Sequence, residues 1–265
     1  MPMIDAHVID VPGAKLYYQT AGDKTKPALL LLHSLGCALG MYDQQVAAFK
    51  DDFYVICPDV RGHGQSQVLD TRESSIASLV ADSMAVLDAE GIAKAHWAGV
   101  SLGGMLSMWA AAENADRVLT ATIANTGLRS GNYQQWQGRI KTVLSEGMEP
   151  IAGMIGPRWF TEKFLASGSP LIGQTMHMVR TCDPRGYATA CSAIRDMDQS
   201  EHIKNITVPT LVMAGAFDVA TPPPMAQSIQ AGIAHSNYVE LPAAHLSNVE
   251  AAQEFNQALR AHISG

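Results

Sequence analysis

The segment Gly99-Val100-Ser101-Leu102-Gly103 fits the pattern G-x-S-x-G, in which a serine stands exposed on a sharp turn between a strand and a helix. A β-forming run precedes it, and small and apolar residues follow it, which is the context that this pattern requires. Small neighbours let the strand and helix approach closely, and a helix amino terminus favours developing negative charge. We therefore predict that Ser101 is a nucleophile. The alternative interpretation is a glycine-rich turn with a capping serine.

A serine hydroxyl needs a base to take its proton, and a candidate base lies near the end of the chain. His245 follows a predicted strand and precedes the last predicted helix. The base needs an acceptor that fixes its tautomer, and Asp218 follows the preceding predicted strand. The order Ser101, Asp218, His245 is the one that accompanies a nucleophile on this type of turn. Asp196 and Asp198 are weaker candidates because they lie within or at the end of a helical region.

The same chemistry needs two N–H donors for the oxyanion of the tetrahedral intermediate. One donor is expected to be the backbone N–H of Leu102, the residue after the nucleophile. The second is expected in the loop His33-Ser34-Leu35-Gly36, which follows an early buried strand, and we assign it to the backbone N–H of Leu35. We interpret His33 as a structural hydrogen-bonding residue rather than as a second base.

Alternating strands and helices must carry these residues. The continuous apolar run at Ala28–His33 is typical of a strand buried on both faces. Apolar residues at helical spacing follow in Ser75–Glu90, and Gly91 ends that helix. This alternation predicts a mostly parallel sheet with helices on both faces. The other predicted strands are Leu16–Thr20 at an edge, Phe53–Cys57, Ala95–Val100, Val118–Ala124, Val208–Gly215 and Asn237–Leu241, and the last helix is Ser247–Ile263.

The alternation breaks in the second half of the chain. Residues 127–205 contain aromatic residues, scattered methionines and helix-like segments separated by glycine and proline, with no clear strand. We interpret this stretch as a helical cap over the carboxyl edge of the sheet. The predicted organisation is a discontinuous core, residues 1–126 and 206–265, and a cap, residues 127–205.

The composition of the chain excludes some classes of binding partner. The 265 residues carry a formal net charge of −7 and no run of lysine or arginine, which argues against nucleic acid or an anionic membrane surface. No apolar run approaches the roughly 20 residues that a spanning helix needs. The first residues show no basic patch followed by an apolar run, so we expect no secretory signal and a cytoplasmic location. An oligomeric state is not specified by any of these features.

The cysteines and histidines do not occur at the sequence spacing that metal ligands have. The nine histidines are scattered, and no C-x-x-C pair, H-x-x-x-H or H-E-x-x-H occurs. We expect no metal site and no disulfide, and we interpret Cys57 as a small buried apolar residue.

Taken together, these motifs resemble the α/β-hydrolase family over essentially the whole chain. The resemblance rests on His33-Ser-Leu-Gly, Asp59-x-Arg61-Gly-His-Gly-x-Ser66, the serine turn, Gly215-x-x-Asp218 and the late His245. It implies an α/β-hydrolase fold with a helical cap. One departure is His33-Ser34, where many hydrolases have His-Gly, and it bears on the local loop geometry.

Within this family the chain is most similar to the 3-oxoadipate enol-lactonases. Narrower cues lie in the cap and the last loop: Trp136-x-x-Arg139, Pro157-Arg-Trp159-Phe160-Thr161, Gly186-Tyr187-Ala188 and His245-Leu-Ser-Asn248-Val-Glu250. The resemblance implies a cofactor-free enzyme of aromatic catabolism that opens a lactone bearing a free carboxylate.

A substrate with a carboxylate arm needs a cation in an otherwise apolar pocket. We assign this cation to Arg139, with Trp136 as a wall of the pocket. Arg158 and Arg180 are the competing cap arginines. Trp159 is a further candidate wall, and packing within the cap is its alternative role.

Two other functions remain open at this stage. A general carboxylesterase or another lactonase would share Ser101, Asp218 and His245 but show no preference for an anionic substrate. A small-molecule receptor on the same fold would bind a ligand tightly and hydrolyse it very slowly. The complete set of three residues favours turnover of a small lactone or ester.

Overall fold

The computed structural model describes residues 4–68, 74–129 and 131–265, and within them a nine-stranded sheet forms the centre of the molecule. Eight strands follow the order β1-β2-β4-β3-β6-β7-β8-β9, and β5 pairs with β2. The strands from β4 to β9 along this order are parallel, whereas β2 pairs antiparallel with β1, β4 and β5. The strands are β1 Ile4–Val11, β2 Ala14–Ala21, β3 Ala28–Leu32, β4 Tyr54–Pro58, β5 Gln67–Val68, β6 Ala95–Val100, β7 Val118–Ala124, β8 Thr210–Gly215 and β9 Ser236–Leu241.

Helices alternate with these strands and cover the sheet. α3 contacts β3, β6 and β7, and α2 packs on α3 and contacts β1 and β2. α11 contacts β7, β8 and β9 and packs on α1. In the described ranges the α-helices are α1 Asp43–Phe49, α2 Ile76–Ala89, α3 Leu102–Glu113, α4 Tyr133–Glu146, α5 Glu149–Trp159, α6 Glu162–Ala166, α7 Pro170–Thr181, α8 Pro184–Arg195, α9 Pro223–Gly232, α10 Ser247–Glu250 and α11 Ala252–Ile263.

The central strands are apolar along their whole length because both faces are covered. Every residue of β3, β4, β6 and β8 is buried. A parallel strand between two layers of helices has no polar face, so its sequence is a continuous apolar run. This is why these strands can be predicted from the sequence.

The turn from β6 to α3 is unusually close to β3. A Cβ on Gly103 would lie 1.8 Å from the Leu32 carbonyl oxygen, and a Cβ on Gly99 would lie 2.1 Å from the Gly103 carbonyl carbon. Only glycine fits at either position. The sequence pattern around Ser101 is therefore required by the packing of this turn against β3.

Helices α4–α8 fill the interval between β7 and β8, and no named strand occurs in its described part. α4 packs on α8 and α5 packs on α7. A single antiparallel bridge pairs Arg129 with Asp198 where the chain leaves and re-enters the core. The helical character expected for this interval is present, while its division from the core as a separate cap remains a prediction.

The predicted fold class, a mostly parallel sheet flanked by helices, is confirmed. Two local predictions are wrong. Leu16–Thr20 lies in β2, which is an inner strand, because β1 pairs along its outer side. The last helix is broken at Ala251, whose backbone leaves the helical region, so that α10 and α11 are separate. Among the described residues, none of the helices is long and apolar enough to span a membrane.

Candidate active site

Ser101 lies on the turn between β6 and α3 in a strained backbone conformation. Its φ of 59° and ψ of −113° are unusual for a residue with a side chain, and such strain persists only where the surroundings enforce it. The Ser101 N–H donates to the Ala124 carbonyl at 2.9 Å, and the Gly103 N–H donates to the His33 carbonyl at 3.2 Å. These bonds tie the turn to β7 and to the loop after β3. The Ser101 side chain is consequently held at the carboxyl edge of the sheet.

The structure brings His245 and Asp218 together at the same edge. Asp218 follows β8 and His245 follows β9, and these strands are neighbours in the sheet. Nδ1 of His245 lies 2.8 Å from Oδ2 of Asp218, and both side chains are buried. An imidazole held in this way donates from Nδ1, which leaves Nε2 as the proton acceptor.

The Asp218 carboxylate is held ionised by its hydrogen bonds. Burial alone would raise its pKa, but the charge of His245 and hydrogen bonds from His245 and Thr221 outweigh burial and lower the pKa to about 2. Oδ1 accepts from the N–H groups of Ala220 and Thr221 at 2.8 and 2.9 Å. The carboxylate can therefore stabilise an imidazolium on His245 across the neutral pH range.

Three residues that the sequence analysis did not single out complete this network. Asn125, directly after β7, donates from Nδ2 to Oδ2 of Asp218 at 3.1 Å and to the Ala244 carbonyl at 3.2 Å. Its Oδ1 accepts from the hydroxyl of Ser247 at 2.6 Å. Thr221 donates to the same Asp218 oxygen at 2.6 Å. A polar residue directly after a predicted buried strand was the available signal for Asn125.

The two residues predicted as oxyanion donors belong to the turn that carries Ser101 and to the loop after β3. Leu102 is the first residue of α3, and Leu35 lies in a turn that the Cys37 N–H closes by donating to the Ser34 carbonyl at 3.0 Å. Within the described ranges, neither the Leu35 N–H nor the Leu102 N–H donates to a protein acceptor. Both residues are buried, and a buried backbone N–H without an acceptor is unusual.

The polar residues around this loop have structural contacts. His33 accepts the Val60 N–H on Nε2 at 2.9 Å, and burial lowers its pKa to about 4. Asp59 accepts the N–H groups of Leu39 and Gln65, at 2.7 and 2.8 Å. His33 and Asp59 thus hold the loops after β3 and β4 in place, and for His33 this is the structural role predicted from the sequence.

Arg139 and Trp136 contact each other on α4. The Arg139 guanidinium carbon lies 4.8 Å from the centre of the Trp136 ring, and Nη1 donates to the Tyr187 hydroxyl at 3.4 Å. Tyr187 is buried, and its ring lies 3.0 Å from where a Cβ on Gly36 would be. The Tyr187 side chain therefore lies between Arg139 and the loop that carries Leu35.

Trp159 lies against the predicted base. Its ring centre is 6.2 Å from that of His245, and its carbonyl accepts the Leu246 N–H at 3.2 Å. The competing cap arginines are placed differently. Arg158 is exposed, and Arg180 is paired with Glu149 at 3.2 Å.

Residues 27–165 match the family of the alpha/beta hydrolase fold. The chain belongs to this family. A relative from Acinetobacter baylyi, 3-oxoadipate enol-lactonase 2, is 37% identical over 93% of this chain and 92% of its own. The solved enol-lactonase from Burkholderia xenovorans is 32% identical with a TM-score of 0.94, covering 98% of this chain and 100% of its own. A solved hydrolase from Pseudomonas aeruginosa is 35% identical with a TM-score of 0.94, covering 98% and 99%. The predicted family and the predicted resemblance to the 3-oxoadipate enol-lactonases are confirmed.

A separate open cavity of about 1150 Å³ borders this hydrolase site from outside. Phe160, Phe164 and Phe217 contribute to its walls, and Asp218 is the only one of the three predicted catalytic residues on its lining. Ser101 and His245, the predicted nucleophile and base, are not among the residues that line this cavity. Among the described residues, no group of histidine, cysteine, aspartate and glutamate is arranged to hold a metal ion.

Proposed function

We propose that this hydrolase opens a carboxylate-bearing lactone, converting 3-oxoadipate enol-lactone to 3-oxoadipate, through an acyl-enzyme on Ser101. That it hydrolyses esters or lactones follows from its family and its relatives. The particular lactone is supported by the names of two relatives, which are 37% and 33% identical. The observation that carries the mechanism is the 2.8 Å contact of His245 with Asp218 at the edge that presents Ser101.

The first half of the reaction forms the acyl-enzyme. Ser101 Oγ attacks the lactone carbonyl carbon while Nε2 of His245 takes the hydroxyl proton, and the carbonyl oxygen becomes an oxyanion bound by the N–H groups of Leu35 and Leu102. Collapse of this intermediate breaks the ring C–O bond. The leaving enol oxygen takes the proton from His245, and the freed enol then tautomerises to a ketone.

The second half hydrolyses the acyl-enzyme. His245 takes a proton from water as the water oxygen attacks the ester carbon, and the same two N–H groups bind the second oxyanion. Breaking the bond to Ser101 returns the proton to Oγ and releases the keto diacid. Asp218 stays ionised throughout, which accords with its low pKa, and stabilises the imidazolium in both halves.

Arg139 is proposed to bind the carboxylate of the substrate. In the described part of the chain its contacts are the Trp136 ring and the Tyr187 hydroxyl, and none is a carboxylate. Burial raises the pKa of Tyr187 and raises that of the nearby Cys191 to about 12, so both groups are neutral at pH 7. A partly buried cation surrounded by neutral groups is suited to an anionic ligand.

The test compares kcat/KM for 3-oxoadipate enol-lactone with that for a neutral short-chain aryl ester. Wild-type protein should prefer the lactone. Arg139→Ala should lose about 10-fold to 150-fold on the lactone, the equivalent of one charge-assisted hydrogen bond, and change little on the ester. Arg158→Ala, which removes an exposed arginine of the same region, should leave both values within about 2-fold.

The outcomes separate the parts of the proposal. Loss of the preference in Arg180→Ala instead of Arg139→Ala would retain the lactonase and move the carboxylate contact. Equal or better turnover of the neutral ester by wild-type protein would contradict the lactone assignment and favour a general carboxylesterase. Tight binding with almost no turnover of either compound would contradict an enzyme and favour a receptor.

A further inference from the structure

The backbone on each side of His245 is tied to the segment Trp159–Thr161, which joins α5 to α6. The Leu246 N–H donates to the Trp159 carbonyl at 3.2 Å. The Ala244 N–H donates to Oε2 of Glu250 at 3.0 Å. The predicted base is thus flanked by two backbone hydrogen bonds, one of which ends on a carboxylate.

The Glu250 carboxylate also binds the segment Trp159–Thr161. It accepts the Thr161 N–H, at 3.3 Å on Oε1 and 3.2 Å on Oε2, and it accepts the Thr161 hydroxyl. The Thr161 hydroxyl oxygen in turn accepts the Phe164 N–H at 3.2 Å and so caps α6. One carboxylate therefore joins the His245 loop, α10 and the start of α6.

We infer that Glu250 is a positioning residue for His245, holding its loop against the cap helices so that Nε2 stays aimed at Ser101. This inference rests on the proposed function, since it takes His245 as the base. We call the contacts of Glu250 with Ala244 and Thr161 the latch.

The position of the latch explains why a carboxylate is needed there. The His245 loop lies between the end of β9 and the start of α10, and among the described residues the acceptor of the Ala244 N–H, directly before the base, is the Glu250 carboxylate. A catalytic base must be held within a fraction of an ångström of its productive position, and a misplacement of about 1 Å can cost 100-fold in rate. Both oxygens of a carboxylate accept hydrogen bonds, so Glu250 can accept all the latch donors at once. A glutamine amide has one oxygen and one NH2 group, so at least one latch donor would face another donor and lose its hydrogen bond.

The broken last helix has a place in this arrangement. α10 ends at Glu250, and Ala251 leaves the helical conformation before α11 begins. Glu250 is therefore the last residue of α10 and stands directly before the break.

The test measures the rate at which an organophosphonate inactivates Ser101, because that rate depends on the alignment of serine and base and not on the identity of the natural substrate. Glu250→Ala, Glu250→Gln and Thr161→Val are compared with wild-type protein. Two controls accompany them. Glu254→Gln alters an exposed glutamate on α11, and Arg117→Ala removes three hydrogen bonds at the amino ends of the strands, away from the site.

Glu250→Ala should slow inactivation by about 10-fold to 100-fold, and Glu250→Gln and Thr161→Val should slow it less. For hydrolysis of a neutral ester, kcat should fall by a similar factor while KM stays within about 2-fold. The low-field proton resonance between His245 and Asp218 should broaden in Glu250→Ala. Arg117→Ala, even with an equal fall in Tm, should retain the wild-type inactivation rate and resonance, and so should Glu254→Gln.

Two results would overturn the inference. One is an inactivation rate in Glu250→Ala within about 2-fold of wild type with the resonance unchanged. The other is an equal loss of rate in Arg117→Ala and Glu250→Ala, because general destabilisation would then explain both. Failure of the proposed function looks different, since wild-type protein itself would not be inactivated at Ser101.

Discussion

Replacing Asn125 with alanine tests whether this residue, directly after β7, stabilises the hydrogen-bond network around Asp218. Asn125 is fully buried and has a φ of 47°, in the left-handed region. Its side chain joins three groups: the Asp218 carboxylate after β8, the Ala244 carbonyl after β9 and the Ser247 hydroxyl at the start of α10. Alanine removes all three contacts and keeps the unfavourable backbone conformation.

The expected cost can be added up from these contacts. Losing its acceptor leaves the fully buried Ser247 hydroxyl unsatisfied, at about 1–3 kcal/mol. The Asp218 carboxylate retains four other donors, so the bond from Asn125 contributes about 1 kcal/mol, and the bond to the Ala244 carbonyl contributes about 1 kcal/mol more. Alanine at this φ costs about 1 kcal/mol more than asparagine. The free energy of unfolding should therefore fall by about 4–6 kcal/mol, and kcat/KM should fall by about 10-fold.

Urea unfolding at pH 7 followed by fluorescence gives the first quantity, and Asn125→Gly provides the matched comparison. Glycine loses the same hydrogen bonds but adopts this φ freely, so Asn125→Gly should be about 1 kcal/mol more stable than Asn125→Ala. A loss below about 1 kcal/mol in Asn125→Ala would refute the hydrogen-bond part of this reasoning. A glycine variant less stable than the alanine variant would refute the backbone part.

Three further predictions follow from the same structure. Gly103→Ala should lower the free energy of unfolding by more than about 3 kcal/mol, because its Cβ would lie 1.8 Å from the Leu32 carbonyl oxygen. Gly138→Ala, at a position in open space on α4, should raise the free energy of unfolding by about 0.5–1 kcal/mol. Thermal unfolding of the two variants tests both expectations. Burial lowers the pKa of His63 to about 3, so on acidification the unfolded chain takes up the proton first, and stability should fall by up to about 1.4 kcal/mol per pH unit below pH 6.5. His63→Gln should lose that part of the slope in urea unfolding between pH 7 and pH 5, and an unchanged slope would contradict it. Asp218→Asn should keep the fold by circular dichroism but lower kcat by about 10⁴-fold, and a loss below 10-fold would exclude Asp218 as the partner of the base.

The central part of the fold could be predicted because burial on both faces leaves a local signal. β6 and β7 begin and end where the apolar runs at Ala95–Val100 and Val118–Ala124 do. β1 was missed because an outer strand buries little, and its Val8 is 61% exposed although apolar. Its position depends on pairing with β2, a long-range interaction that a pattern of single residues does not report.

Some residues of the candidate site could likewise be predicted from the sequence, and others could not. Ser101, Asp218 and His245 each follow a recognisable strand, and the parallel order of the sheet brings the ends of those strands together. Asn125 and Glu250 carry no local signal of comparable strength. Their partners lie far away in sequence, as Ser247 does from Asn125 and Thr161 from Glu250, so their roles follow only from the folded arrangement.

Five successive strand ends each contribute one group to this site. Leu35, the predicted oxyanion donor, lies in the loop after β3. Ser101, Asn125, Asp218 and His245 lie in the turns after β6, β7, β8 and β9, in that order. Parallel strands in register end at one edge, so reaction chemistry can be assembled there from loops that are short and rigid.

The cap contributes differently. Its residues do not lie at strand ends. Arg139 is on α4, Trp159 is the last residue of α5, and Thr161, which contacts Glu250, directly precedes α6. If the proposed function is right, changes in those helices should alter which acyl group is accepted without moving Ser101 or Asp218, except through the latch, which connects the predicted cap to the loop of the base. We therefore expect hydrolysis to depend on the sheet and substrate choice on the cap, and we expect a substitution of Glu250 to affect both.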